Sequence, residues 1–423
     1  MSNSSLFSTF QLGTLELRNR TVMAPLTRSR ATPDGVPTEL MEIYYAQRAG
    51  AGLIISEGVV VSPQGVAYPR VPGLYNDEQI AAWRRVTGAV HGQGGKIFAQ
   101  LWHVGRQSHS SVQPDGLPPF APSPVRIEGY QYYRKPDRLP YETPRQLSRE
   151  GIRKVIEQYA QAAARAVDAG FDGVEIHAAN GYLIDQFLNS GSNQRWDEYG
   201  GSPANRARFL HELLDAVGTR VPPSLVGVRL SPSSTWMDAF DEDKTALHSH
   251  VVASLNRHGL AYLHLVEPEI AGSITADVAA DAVPTEKLAA LFHGPVIVTG
   301  EHNLASAQQR IEDGVADLVG FGRTFIANPD LPERLRTGAP LNPPEKRTFY
   351  AGGAEGYITY PSLTEGARWA ELRSAIEAGT LSAEDLLAEL SARNPVELAR
   401  SGGLHSLHQL RELVTSQTTA SRT

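Results

Sequence analysis

The regular alternation of short apolar runs with helical patterns constrains the fold of this chain more than any other feature of the sequence. The apolar runs are bounded by turn residues and number eight: TVMAPLT (21–27), GLIISEGVVV (52–61), KIFAQLW (96–102), GVEIHA (173–178), LVGVRLS (225–231), AYLHLVE (261–267), PVIVTG (295–300) and ADLVGFG (316–322). Short runs of this kind are typical of buried strands in a parallel sheet. Strand and helix alternating eight times predict an α/β fold, the closed (β/α)8 or TIM barrel. A doubly wound open sheet would show the same alternation, but the count of eight favours closure.

Helical patterns with start and stop signals fill the gaps between the predicted strands. The pattern over 38–50 begins with Thr38 as its N-cap. The pattern over 148–170 has Ser148 as its N-cap and Gly170 just past its end. Similar patterns follow the later strands, as the barrel requires.

Two segments do not fit the repeat, and we predict a barrel domain over 1–363 that contains the first of them. Residues 104–147, after the third strand, are rich in Pro and Tyr, which predicts a capping insertion over the active face. Residues 364–423 predict a helical C-terminal extension with a self-docking or subunit-contact role, because apolar residues recur there at helical spacing. His405 and His408 lie three apart in this extension, a spacing more typical of a solvated helix face than of a metal pair. We therefore predict no metal site.

The composition excludes several classes of protein. The 423 residues contain no cysteine, which excludes disulfides, thiolate zinc sites, cysteine-ligated iron–sulfur clusters and a catalytic thiol. The net charge of −7 without a long basic run argues against a nucleic-acid partner. No apolar stretch approaches the ~20 residues that span a bilayer, and the N-terminus lacks the pattern of a secretory signal. We expect a cytoplasmic protein without membrane contact.

Glycines and one arginine collect at the carboxyl ends of the last two predicted strands, the end at which barrel enzymes carry their chemistry. Gly300 follows strand seven, and Gly322 and Arg323 follow strand eight. Backbone N–H groups at such turns, together with a guanidinium, form the phosphate site typical of barrels. The two glycines would also suit plain tight turns, but Arg323 beside Gly322 favours phosphate.

Three polar residues at the ends of strands one, three and five suit a flat heterocycle. Thr27, Gln100 and Arg229 offer a hydroxyl, an amide and a fixed cation. A flavin presents carbonyl and ring-nitrogen edges to such groups, and a cation near its N1 stabilises the reduced anion. Each residue taken alone fits ordinary polar lining equally well, although a buried Arg229 without a partner would cost too much free energy.

The fourth strand ends in GVEIHAANGY, which places His177, Asn180 and Tyr182 within six positions. His177 and Asn180 can both donate to one carbonyl or nitro oxygen, an arrangement of the oxyanion type. Tyr182 stays protonated at neutral pH and can give a proton to carbon. A lone histidine at a strand end is more often structural, but the three together favour catalysis.

These same residues resemble the Old Yellow Enzyme family of flavin-dependent ene-reductases. The resemblance covers about residues 6–363, and the stretches that carry it are MAPLTR, AGLIISEG, QLWHVGRQSH, GFDGVEIHAANGYLIDQFLN, SNQRWDEYGGSPANR, VGVRLSP and FGRTFIANPDL. So many signatures in this order are highly specific. Barrels of that family usually end near YPSL, at residue 363, whereas this chain continues for about 60 residues.

The resemblance implies non-covalently bound FMN and assigns a role to each site residue. The isoalloxazine would be surrounded by Pro25, Thr27, Gly58, Gln100 and Arg229, and the phosphate held by Gly300, Gly322 and Arg323. His177 and Asn180 match the family's His-x-x-Asn pair, which binds the activating oxygen of the substrate. The remaining matches are Tyr182 as proton donor and Tyr68, Trp102 and Tyr357 as pocket lining.

Family members typically transfer hydride from NADPH to flavin N5, release NADP, and then reduce an activated alkene. NADH as the reductant stays open for this chain, as does a homo-oligomer formed through the extension. A nitroester or nitro-compound reductase would use the same scaffold, because a nitro group presents the same oxygens. A flavin-binding sensor that signals through its C-terminal helices is the alternative outside enzymes, and Tyr182 argues against it.

Overall fold

The computed structural model of the chain describes residues 5–131, 138–272, 274–393, 398 and 403–420. Its centre is a closed barrel of eight parallel strands, as the sequence predicts. In chain order the strands β1 to β8 are Thr21–Met23, Leu53–Val60, Ile97–Trp102, Gly173–Ala178, Val226–Leu230, Tyr262–Val266, Val296–Thr299 and Leu318–Phe321. Each strand pairs with its neighbours in the chain, and β8 pairs with β1 to close the ring.

Helices connect the strands and continue past the last of them. In chain order the described helices α1 to α13 are Glu39–Gln47, Asp77–His91, Arg149–Asp168, Leu183–Leu188, Pro203–Gly218, Lys244–Leu255, Thr285–Ala289, Leu304–Glu312, Arg323–Ala327, Leu331–Thr337, Leu363–Glu377, Ala383–Ser391 and Leu404–Ala420. None of the helices in the described part of the chain is both long and apolar enough to cross a membrane.

The predicted helix boundaries follow from capping chemistry. The Ser148 hydroxyl accepts a hydrogen bond from Gly151 N at 3.0 Å at the start of α3, and Gly170, just beyond its end, has φ +82°. Thr38 stands at the N-cap of α1, but its hydroxyl donates to the Arg30 carbonyl at 2.8 Å and makes no cap bond.

An apolar plug fills the N-terminal end of the barrel interior. Side chains of the strands, including Phe98, pack there against Leu12 and Leu17. These two leucines belong to a hairpin formed by Phe10–Leu12 and Leu15–Leu17, which pair antiparallel ahead of β1. The hairpin therefore closes the barrel at the end opposite to the predicted site.

The segments outside the repeat pack against the barrel. Between β3 and α3, the two-residue strands Phe120–Ala121 and Arg145–Gln146 pair with each other, and Glu128 N donates to Asp238 of the loop after β5 at 2.7 Å. The predicted insertion also includes residues 132–137, which lie outside the described part. Beyond the barrel, buried leucines of α12, of α13 and of the stretch between them join the main hydrophobic core: Leu390, Leu398, Leu407 and Leu410.

Candidate active site

Four side chains, each from a different element or loop, meet at the carboxyl end of the barrel and form what we call the aromatic cluster: Tyr68, Trp102, His177 and Tyr182. The Tyr182 ring lies edge-on to Trp102 at 4.9 Å between ring centroids and edge-on to His177 at 5.0 Å. Tyr68 stacks on Trp102 at 5.7 Å, and the hydroxyls of Tyr68 and Tyr182 are 3.4 Å apart. Two of the three predicted catalytic side chains therefore share one environment with two predicted pocket residues.

A tight turn after β4 directs Asn180 and Tyr182. Asn180 has φ +56° and Gly181 has φ +70°, a left-handed conformation that glycine adopts freely and asparagine tolerates better than most residues. Tyr182 follows as the N-cap residue of the short helix α4. A two-residue left-handed turn thus ends the strand and starts the helix with these side chains at the junction.

The protonation states of His177 and Tyr182 allow both side chains to donate hydrogen bonds. Burial lowers the pKa of His177 well below its usual range, and nearby Arg229 lowers it further, so the imidazole is neutral. Burial raises the pKa of Tyr182; the hydrogen bond with Tyr68 lowers it in part, and the neighbouring phenol of Tyr350 adds to the rise. Tyr182 therefore holds its proton at neutral pH.

Arg229 lies beside His177, its register partner on the neighbouring strand β5. It is 7% exposed, and its Nε atom has no hydrogen-bond partner among the described residues. His177 Nδ1 and Asn180 Oδ1 are buried and lack partners in the same sense. Because buried polar groups are almost always hydrogen-bonded, unpaired atoms at one strand end indicate a site for polar ligands.

A buried polar layer inside the barrel supports this end. Glu175 accepts hydrogen bonds from Gln100 Nε2 at 2.8 Å, from His264 Nδ1 at 2.7 Å and from the Tyr262 hydroxyl at 3.2 Å. His264 Nε2 in turn lies 2.7 Å from Thr299 Oγ1. The layer holds the amide of Gln100 in one orientation beneath the site.

Glu175 is the anion of this layer. Burial would raise the pKa of its carboxyl, but His264, Arg229 and Gln100 together bring the pKa below its ordinary value. Burial lowers the pKa of His264, so that ring donates as a neutral imidazole. The charge of the Arg229 guanidinium is therefore balanced from inside the barrel, although its Nε–H has no acceptor there.

The residues predicted around a flavin fall into two groups. Gln100 and Arg229 lie in or beside the polar layer, whereas Pro25 and Thr27 are half-buried in the loop after β1. Gly58, on β2, has a packing role of its own, because a Cβ there would lie 2.5 Å from the ring of Trp102. Any side chain at position 58 would displace that indole.

The predicted phosphate residues lie at the ends of β7 and β8. Gly322 is the N-cap of α9, and a Cβ there would meet nothing nearer than Leu26 at 3.6 Å, so space is open beside it. A Cβ at Gly300 would meet the side chain of Glu269. The guanidinium of Arg323 is bound to the carboxylate of Glu301 and to the Thr275 hydroxyl.

The structure puts Tyr357 elsewhere than the sequence prediction did. Its ring is fully buried and stacks on Tyr44 with 4.1 Å between ring centroids. The guanidinium carbons of Arg28 and Arg30 lie 5.0 and 4.4 Å from the centroid of the Tyr357 ring. These contacts belong to the packing behind the 345–357 segment and do not include the aromatic cluster.

Two further tyrosines lie near the cluster and were not among the predicted site residues. Burial raises the pKa values of Tyr68 and Tyr182, and Tyr141 and Tyr350, when ionised, would raise them further. Tyr350 stands seven residues before Tyr357 in the same segment, and FYAGGAEGY gives no indication of which tyrosine faces the site. Glu175 was missed too, although a carboxylate inside the apolar run GVEIHA was a usable signal.

The donor groups at this end of the barrel fit a flavin. The Arg229 N–H groups and the Gln100 amide suit a flavin's carbonyl and ring-nitrogen edge, and the open space at Gly322 beside Arg323 suits a phosphate. Barrel, polar layer and aromatic cluster together suit a flavin-dependent oxidoreductase.

Comparison with known proteins narrows this class. The sequence model of the NADH:flavin oxidoreductase / NADH oxidase family matches residues 5–342. The chain belongs to this family, which is the Old Yellow Enzyme family. It is thus an FMN-dependent NAD(P)H oxidoreductase of the ene-reductase type.

Individual relatives match over most of their length. 12-Oxophytodienoate reductase 7 of Oryza sativa subsp. japonica is 44% identical over 373 residues, which cover 85% of this chain and 94% of the relative. The solved structure of morphinone reductase is 48% identical, with a TM-score of 0.80, and covers 86% of this chain and 98% of that one. The old yellow enzyme homologue from Zymomonas mobilis is 40% identical with a TM-score of 0.81 and covers 84% and 99%.

Proposed function

We propose that the protein reduces alkenes activated by a conjugated carbonyl or nitro group, and that the aromatic cluster and Asn180 form the substrate site. The observation that carries this proposal is the meeting of Tyr182 with His177 and Trp102 within 5.0 Å between the ring centroids of Tyr182 and each neighbour. The relatives are named as reductases of 12-oxophytodienoate and of morphinone, and both names describe ketones.

His177 and Asn180 hold the activating oxygen. A neutral imidazole N–H and an amide N–H are two donors without charge, so they strengthen their bonds as negative charge grows on that oxygen. Arg229, beside His177, adds positive potential to the same region. FMN, which Gln100, Arg229 and the turn at Gly322 would hold, would supply the redox chemistry that links NAD(P)H to the alkene.

Tyr182 gives the proton to the α-carbon. Burial raises the pKa of its phenol, so the proton is present at every working pH. The hydroxyl of Tyr68, 3.4 Å away, can donate to the oxygen of Tyr182 as charge develops there. Trp102 and Tyr68 exclude water from the alkene.

Replacing Tyr182 by Phe tests this assignment. NADPH should bleach the bound flavin at an unchanged rate, because no proton reaches carbon in that step. Reoxidation by 2-cyclohexen-1-one should slow by about a hundredfold or more, the usual contribution of a general acid. Stopped-flow absorbance under anaerobic conditions measures both steps.

The matched control is Tyr199→Phe, which removes a phenol that donates to Glu212 at 2.8 Å on the outer helix α5. It should leave both steps unchanged. An undiminished reoxidation rate in Tyr182→Phe would remove Tyr182 as the proton donor.

Several finer assignments remain proposals of ours. We propose NADPH as the physiological reductant, residues 104–147 as a cap over the site, and α11–α13 as a self-docking or subunit-contact element. The cytoplasmic location predicted from the sequence stays a prediction. Initial rates with NADPH and NADH, at equal concentration, decide the first of these.

A further inference from the structure

The backbone of the 179–182 turn is fixed by side chains that the proposed mechanism does not use. Asn180 N donates to Ser231 Oγ at 2.7 Å, and the Asn180 carbonyl accepts from Gln107 Nε2 at 2.9 Å. These bonds tie the turn to the loops after β3 and β5. They hold Asn180 at the left-handed φ of +56°.

Asp185 makes the corresponding bond at the other half of the turn. Tyr182 is the N-cap residue of α4, a position that usually supplies a side-chain acceptor, and it makes no such bond. Asp185, the third residue of the helix, reaches back, and its Oδ2 accepts from Gly181 N at 2.7 Å. The cap position is thus left to the proton donor, and Asp185 supplies the acceptor.

The Asp185 carboxylate is buried, and both of its oxygens accept hydrogen bonds. It is 1% exposed, and its second oxygen accepts from Asn189 Nδ2 at 2.8 Å. The ionised form of Asp185 can accept through both oxygens, as this geometry requires. Among the described residues the charged group that acts on it is Arg106, from the loop after β3, whose guanidinium is itself bound to backbone carbonyls.

We propose that Asp185 is a positioning residue: its ionised carboxylate holds the 179–182 turn in the conformation that directs Asn180 and Tyr182 to the substrate. This inference rests on the proposed function. Protonation of Oδ2 removes the acceptor of Gly181 N, so the turn relaxes and the two side chains lose alignment. Small displacements of this kind cost about tenfold to a hundredfold in rate.

The positioning role of Asp185 predicts a specific pH dependence of alkene reduction. Burial raises the pKa of Asp185 to about 7, with Gly181 N, Asn189 and Arg106 opposing that rise. The ionised fraction therefore falls from about nine-tenths at pH 8 to about one-tenth at pH 6. Alkene reduction should slow several-fold over this interval. Tyr182 and His177 do not titrate there, because their pKa values lie outside it.

Glu57 is the other buried carboxyl with a pKa of about 7, and burial is again the main cause. It accepts from Arg28 N in the loop that carries Thr27, on the predicted cofactor side. Its titration should affect flavin reduction by NADPH as well as alkene reduction. A dependence confined to the alkene step therefore points to Asp185.

The experiment compares the FMN-loaded wild type with Asp185→Asn and Asp185→Ala from pH 6 to 8. Flavin bleaching by NADPH and reoxidation by 2-cyclohexen-1-one are followed separately. Asp185→Asn keeps an acceptor for Gly181 N but cannot titrate, so its reoxidation rate should be flat in pH and within about threefold of the wild-type rate at pH 8. Asp185→Ala should reoxidise about tenfold or more slowly at all pH values while bleaching normally.

The control is Asp172→Asn, which alters a carboxylate at the opposite end of β4 that accepts from Ile97 N at 2.9 Å. It should show the wild-type pH profile. A profile in Asp185→Asn that matches the wild type would overturn the proposal, and this comparison holds even if Asp185→Ala fails to fold. Failure of the wild type to reduce any activated alkene would instead overturn the proposed function itself.

Discussion

At the scale of single residues, three arginines show how surroundings decide the use of one side-chain type. Arg28 is fully buried and donates to backbone carbonyls and to the Tyr44 hydroxyl. Arg229 is nearly as buried, yet its Nε–H has no acceptor among the described residues. Arg323, partly exposed, is bound by Glu301. The first is structural, the second keeps a donor without an acceptor, and the third is held by an ion pair.

The Arg323–Glu301 pair gives a prediction at this scale. If Arg323 binds the phosphate of FMN, as the sequence predicts, the carboxylate of Glu301 competes with that phosphate. Glu301→Ala should then bind FMN more tightly, by about threefold to tenfold. Titration of apoprotein with FMN, followed by quenching of flavin fluorescence, measures the dissociation constant.

Riboflavin, which lacks the phosphate, is the internal control. Its affinity should be the same for Glu301→Ala and the wild type. An equal gain for riboflavin and FMN would show that Glu301 acts on the binding site in general and not on the phosphate.

At the scale of elements, the 345–357 segment that carries Tyr350 has little regular structure, and the loop after β1 holds it in place. Arg28 Nε donates to the Phe349 carbonyl at 2.8 Å and its Nη2 to the Gly356 carbonyl at 3.0 Å, while Arg30 Nη2 donates to the Thr348 carbonyl at 2.9 Å. The loop that carries Thr27 therefore also fixes the position of Tyr350.

Replacing Arg28 by Met tests this link. The substitution keeps much of the apolar stem but leaves the Phe349 and Gly356 carbonyls with only 3.5 Å contacts to other donors. Poorly satisfied buried carbonyls cost about 1–3 kcal/mol each. We expect the free energy of unfolding to fall by about 3 kcal/mol or more, measured by urea denaturation. Arg149→Met, at an exposed pair with Glu198, should change it little. Equal stability of the two variants would contradict the link.

The elements were predictable from sequence to different degrees. All eight strands were found, because an apolar run bounded by turn residues is a local signal, and GVEIHA matches its strand residue for residue. The backbone between Tyr350 and Tyr357 passes through the left-handed residues Ala351 and Gly352, and Arg28 binds this segment from a distant part of the chain. No local sequence pattern encodes those contacts, so the sequence could not show that Tyr357 is buried away from the aromatic cluster.

At the scale of the whole molecule, the barrel carries an addition of three helices beyond residue 342, where the family match ends. Leu407 and Leu410 of α13 are 7% and 0% exposed and belong to the same core cluster as residues of the barrel. His405 Nδ1 lies 3.4 Å from the Thr359 carbonyl. Burial of these leucines within one chain supports the self-docking interpretation.

Removing residues 364–423 should therefore destabilise the barrel. Apolar surface that α13 covers would face water, so we expect a lower melting temperature and more aggregation, with the flavin spectrum retained. Leu410→Asp should have the same effect through loss of docking, whereas Glu412→Ala on the exposed face of α13 should not. Light scattering and calorimetry decide the outcome. Unchanged mass, stability and kinetics after truncation would reject both proposed roles.

The hairpin that closes one end of the barrel limits where reactants can enter. Leu12 and Leu17 fill the N-terminal end of the barrel, so the proposed site cannot be reached through that end. We therefore expect the nicotinamide and the alkene to enter and leave at the carboxyl ends of the strands, one after the other. Each reactant, when in excess, should then inhibit turnover by occupying the site that the other needs.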